Sequence, residues 1–72
     1  MTDSDRSAAE WLAAFAERVG MPTPAPADVH TLLELAGVAA HASERTAAPI
    51  ACWLVGQTGL APADALAIAK EI

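Results

Sequence analysis

His41, Glu44 and Arg45 fall within five positions of one another, with the Thr46 hydroxyl next in the chain, and make the densest polar cluster of the sequence. An arginine presents a planar fork of donors that matches a phosphate or carboxylate, and the start of a helix offers unpaired backbone N–H groups beside it. With a helix beginning at Thr46, these four residues are candidates for docking a small anion, a nucleotide or a protein partner. The plainer reading of the same spacing is that Glu44 and Arg45 tie down a corner between two helices. Other groups offer less chemistry. His30 and His41 are eleven positions apart, close to three helical turns, so both point the same way. The helical rise separates them by about 16 Å along the axis, and metal bonds of about 2 Å cannot bridge that gap. His41 and Glu44 stand at i, i+3, but two ligands do not hold zinc. No metal and no cofactor are expected. Cys52 sits between Ala51 and Trp53 with no cation near it in sequence, and a thiol in such surroundings is packing material rather than a nucleophile. Trp11 and Trp53 read as core or interface anchors. Trp11, with Phe15 one turn further on, is the better candidate for projecting to a partner.

Helices must position all of these. Residues 1–4 read as a frayed polar lead-in, and Ser4 can cap a first helix with Asp5 in its first turn. Trp11, Leu12, Phe15 and Val19 fall at i, i+1, i+4 and i+8, one apolar stripe, with Arg6, Glu10, Glu17 and Arg18 on the wet side. Gly20 supplies the stop, which predicts a helix over about 5–19. Residues 20–27 carry Pro22, Pro24 and Pro26 at alternate positions and form a stiff connector. Pro26 also suits the first position of a second helix over about 26–44. Its expected buried stripe is Val29, Leu32, Leu33, Ala36 and Ala40, widened by Leu35, Val38, Ala39 and Ala42. Gly37 falls at the border of the polar side, a place where a partner backbone could approach closely. Thr46 is the expected N-cap of a third helix over about 47–58, with Pro49 tolerated in its first turn and Gly59 at its end. This helix has no polar face before Gln57, and a helix apolar all round belongs in the middle of a fold. Ala61-Pro62 opens a fourth helix over about 62–71, with Asp64 in its first turn and Lys70 near its C-terminus. No stretch alternates with period two. The expected architecture is one all-α domain, a compact four-helix bundle with the third helix at its centre.

Size and charge then exclude whole classes of function. The 72 residues carry 4 Lys and Arg against 9 Asp and Glu, a formal net charge of −5. Four scattered cations cannot neutralise a row of phosphates, so nucleic acid is not expected as a partner, and a helix-turn-helix regulator is disfavoured for the same reason. An anionic membrane surface would repel the chain. Positions 46 to 63 are free of charge, but Pro49, Gly56, Gly59 and Pro62 interrupt them, which fits a buried helix and a turn better than a membrane span. The acidic Thr2-Asp3-Ser4-Asp5 start is unlike a secretory signal, and one cysteine cannot form an internal disulfide; both suit a cytoplasmic setting. Calcium-loop and phosphate-loop patterns are missing. An acyl carrier protein would fit the size and acidity, yet its Asp-Ser-Leu-type serine at a helix start has no counterpart, since Asp3-Ser4-Asp5 is misplaced and Ala42-Ser43-Glu44 lacks the aspartate.

Three segments taken together carry a resemblance: Glu10-Trp11-Leu12, Leu32-Leu33-Glu34-Leu35-Ala36, and the run from His41 through Arg45-Thr46-Ala47-Ala48-Pro49 to Cys52-Trp53-Leu54-Val55-Gly56. The chain resembles, over nearly its whole length, a family of short helical bacterial domains of unknown function. Members of that family stand alone or are fused to molybdenum cofactor guanylyltransferases, which attach GMP to molybdopterin. The resemblance implies an association with maturation of that cofactor. Those transferases use a glycine-rich, basic nucleotide loop after a first strand, and this chain has neither, so guanylyl transfer would take place elsewhere. The expected role is a non-catalytic accessory or interaction module, docking on a larger protein such as a guanylyltransferase or on its own copy as a homodimer. The alternative is a small anion- or nucleotide-binding domain built on His41, Glu44 and Arg45.

Overall fold

The computed structural model describes residues 7–72 and contains four helices: α1 (Ala8–Val19), α2 (Pro26–Ala42), α3 (Ala47–Thr58) and α4 (Pro62–Ala69). There is no strand among the described residues, and the all-α four-helix architecture is the expected one.

The helix ends show how local sequence sets each element. α1 starts later than expected, because the cap is Ser7 rather than Ser4. Ser7 Oγ accepts from the Glu10 amide at 3.1 Å, and Glu10 Oε1 accepts from the Ser7 amide at 3.0 Å. This reciprocal pair satisfies two donors that a helix start otherwise leaves open. Ser4, Asp5 and the expected frayed lead-in lie outside the described residues. Gly20 and Gly59 both adopt the left-handed conformation, at φ 79° and 78°, and end α1 and α3. A side chain at either position would be strained, so the stops expected at these glycines are conformational. Pro26 and Pro62 occupy the first position of α2 and α4, where a missing amide hydrogen costs nothing. α2 ends at Ala42 rather than 44, since Ser43 leaves helical space at φ −143°, ψ −103°. α4 likewise closes at Ala69, short of 71.

Packing departs from expectation at the centre. The hub is α2, which packs against both α3 and α4; α3 is peripheral. Leu35 of α2 is 2% exposed, and among the described residues Ala16 and Ala65 are the only others fully buried. Of the expected stripe Val29, Leu32, Ala36 and Ala40 are half-buried around Leu35, while Leu33 is 68% exposed. The reason lies in side-chain size. α3 presents Ala48, Ala51, Cys52 and Val55 to the rest of the fold as half-buried residues and turns Ile50, Trp53 and Leu54 outward. Small residues on one side allow α3 to approach α2 closely, and a chain of this length has no second layer to cover its other side. The Cys52 thiol lies 3.9 Å from the Leu32 carbonyl oxygen, marking the inward side of α3. Gly37, expected to admit a neighbouring backbone, has nothing within 4 Å of the position a Cβ would take.

α1 is joined only lightly to the other helices. The proline-bearing connector is exposed throughout, and α1 and α2 flank an open hollow of about 440 Å³ that Leu12, Pro24, Val29, His30 and Leu33 help to line. One ion pair links α4 to α2, Lys70 Nζ to Glu34 Oε2 at 3.7 Å, with both side chains about half exposed. A pair that wet contributes a few tenths of a kcal/mol.

Candidate functional site

The polar corner forms where α2 hands over to α3. Its backbone is a tight turn: the Ala47 amide donates to the Glu44 carbonyl at 2.9 Å and the Ala48 amide to the Arg45 carbonyl at 3.1 Å. Two amides of the first turn of α3 are thus already occupied. Thr46 precedes α3 in a helical conformation, φ −67°, ψ −17°, and its side chain makes no capping bond. Instead the Thr46 hydroxyl donates to Glu44 Oε1 at 3.4 Å. The expected N-cap is therefore absent because the backbone at Thr46 has turned helical one residue early. A cap normally holds extended geometry so that its oxygen can reach back to the helix.

The structure brings Glu44 and Thr46 together and leaves the other two apart. His41, in the last turn of α2, and Arg45 are exposed, and Arg45 makes no ion pair among the described residues. A carboxylate beside the Thr46 hydroxyl opposes an incoming anion, and the first-turn amides that would cradle it are engaged. The shallow depression next to the corner runs from Ser43 and Glu44 past Ala47 to Ile50 and Leu54, and its far wall is apolar. His30 is also exposed and faces the hollow between α1 and α2. No three His, Cys, Asp or Glu side chains among the described residues are close enough to hold one metal ion. Nor is any described helix long and apolar enough to cross a membrane.

Apolar surface is the more prominent feature. On α1, Trp11 and Phe15 stack with ring centroids 5.1 Å apart and planes 16° from parallel. Each ring is about half exposed. Offset stacking of this kind contributes about 0.5–1.5 kcal/mol, so the two rings hold each other as a ridge instead of inserting into the core. Arg18 and Ala14 border the same ridge. A groove of about 240 Å³ opens between α3 and α4, floored by Leu35 and Ala65 and walled by Leu54, Leu60, Ile68 and Ile72. The outer face of α3 continues that surface with Ile50 and Trp53, 60% and 61% exposed.

The sequence offered Trp11 and Phe15 as interface candidates and Trp53 as a core or interface anchor, and all three are exposed; the exposure of Ile50 and Leu54 it did not signal residue by residue. The signal was present in the absence of any polar face on α3. A small chain cannot enclose such a helix on every side, and the bulky residues are the ones left out.

Comparison with known proteins adds a family and nothing about activity. The family model of a domain of unknown function (DUF6457) matches residues 3–71. No curated protein and no solved structure shows a significant match.

Proposed function

From the premise that the chain belongs to the DUF6457 family of domains of unknown function, we propose that it is a non-catalytic interaction module that works by docking its apolar surface on a protein. One observation carries this reading: among the described residues three are buried, all apolar, while eleven large hydrophobic side chains are exposed. The accessible surface is 5609 Å², whereas a folded monomer of 7.4 kDa exposes on the order of 4,200 Å². The chain thus exposes about 1,400 Å² more than a compact monomer of its mass. Contiguous exposed apolar surface marks association sites in small domains. The dispersed charged groups and apolar hollows support a role in binding rather than turnover.

The resemblance to domains fused to molybdenum cofactor guanylyltransferases gives the first partner to try, within a cytoplasmic setting. The test is calorimetric titration of the chain with a purified guanylyltransferase from the same genome, beside sedimentation of the chain alone. Docking through apolar surface gives a complex in at least one arm, with a negative heat-capacity change. A chain that stays monomeric, binds no transferase and takes up no apolar dye overturns the proposal.

A further inference from the structure

We infer that the outer face of α3 is a self-complementary seam through which two copies of this chain pair about a two-fold axis. This rests on the interaction-module reading and names the partner for one surface. The first observation is that α3 is covered on one side only. Ala48, Cys52 and Val55 are half-buried on the α2 side, while Ile50, Trp53 and Leu54 are exposed on the other. A helix without a polar face needs cover all round.

The second observation concerns charge and selects a copy as the occupant. The chain carries −5, yet positions 46 to 63 contain no charged residue. Two identical acidic chains repel wherever their carboxylates face each other within a Debye length. Among the described helices α3 is the one that carries no charged residue, so contact through its outer face brings the fewest carboxylates together. A partner recruited by charge would find nothing to hold on this face.

The third observation is the fit of the stripe to itself. Trp53 stands at the middle of α3 (Ala47–Thr58). An antiparallel pairing with the axis at Trp53 sets this ring against its own copy. Ile50 and Gly56, each three residues from Trp53, then face one another across the seam. Gly56 has nothing within 4 Å of the position a Cβ would take, so it offers bare backbone where the bulky Ile50 of the copy can rest. Closure of this kind is isologous, the commonest symmetry of soluble oligomers.

The test is sedimentation velocity from about 1 to about 100 μM on the unaltered chain, on Trp53→Glu, on Phe15→Glu and on the charge-matched α4 control Ala67→Glu. A concentration-dependent dimer is expected for the unaltered chain, for Phe15→Glu and for Ala67→Glu. Trp53→Glu should associate more than about thirtyfold more weakly, as loss of a central aromatic anchor does. A second readout leaves α3 untouched: in the Trp11→Phe variant, Trp53 is the sole tryptophan, and its emission should move to the blue as concentration rises. An unaltered chain that is monomeric throughout overturns the pairing, as does a dimer that survives Trp53→Glu or dissolves with Phe15→Glu. If the monomeric chain still binds a guanylyltransferase, the interaction module stands and only the pairing falls. If it binds neither, both fall.

Discussion

Replacing Leu35 by alanine should come close to abolishing the fold, whereas the same change two residues earlier, at Leu33, should scarcely be felt. Leu35 is 2% exposed at the junction of α2 with α3 and α4, and Leu33 is 68% exposed. Truncating leucine to alanine removes three carbon groups at about 0.8 kcal/mol each, about 2.4 kcal/mol of transfer free energy for a fully buried side chain. The unfilled space adds to this, and measured losses for buried leucines reach about 3–5 kcal/mol. At Leu33 only about a third of the side chain is covered, which leaves about 0.8 kcal/mol on the same scale. A chain of this length has a total stability of about 4–11 kcal/mol, so Leu35→Ala removes a large share of it. With a urea slope of about 1 kcal/mol per molar, the midpoint should fall by about 3 M for Leu35→Ala and by less than about 1 M for Leu33→Ala. Far-ultraviolet circular dichroism at one fixed protein concentration measures both. Equal midpoints for the two variants would refute the placement of α2 as the hub, because they would mean that its Leu33 side is covered as completely as its Leu35 side.

Two further predictions concern helix formation. Ser7→Ala removes the oxygen that accepts the Glu10 amide and should cost about 1 kcal/mol, read as a lower urea midpoint together with faster amide exchange in the first turn of α1. Gly37→Ala should gain about 1 kcal/mol, because nothing stands within 4 Å of the new methyl group and alanine is the better helix former; an unchanged or lower midpoint would show that the site is closed.

The parts of the fold legible in the sequence are those set by a few neighbouring residues. Gly20, Gly59, Pro26 and Pro62 act through their own backbone preferences, so the boundaries they control fall where expected. The start of α1 was less legible because Ser4 and Ser7 are both competent caps; Glu10, three residues beyond Ser7, decides between them. The centre of the molecule was harder still. Hydrophobicity alone sends α3 inward, but which helix becomes the hub depends on how closely each pair can approach, a property of side-chain size on opposing faces. Ala48, Ala51 and Cys52 make one side of α3 thin enough to pack on α2, and the bulk of Ile50 and Trp53 then has nowhere to go but outward. At the polar corner, spacing brought Glu44 and Thr46 together, but neither composition nor period reveals that the Thr46 backbone turns helical. That turn, closed by the Ala47 and Ala48 amides, occupies the donors an anion would have used.

The connector before α2 gives α1 an unusual mechanical character. Proline at every second position fixes backbone angles in advance and holds the residues between them extended, so little conformational freedom remains to be lost when α1 seats itself. A short, stiff leash also keeps the helix at high local concentration near its berth. Weak adhesion is then sufficient. The few contacts that α1 makes with the other helices are therefore enough to keep it beside the hollow it shares with α2.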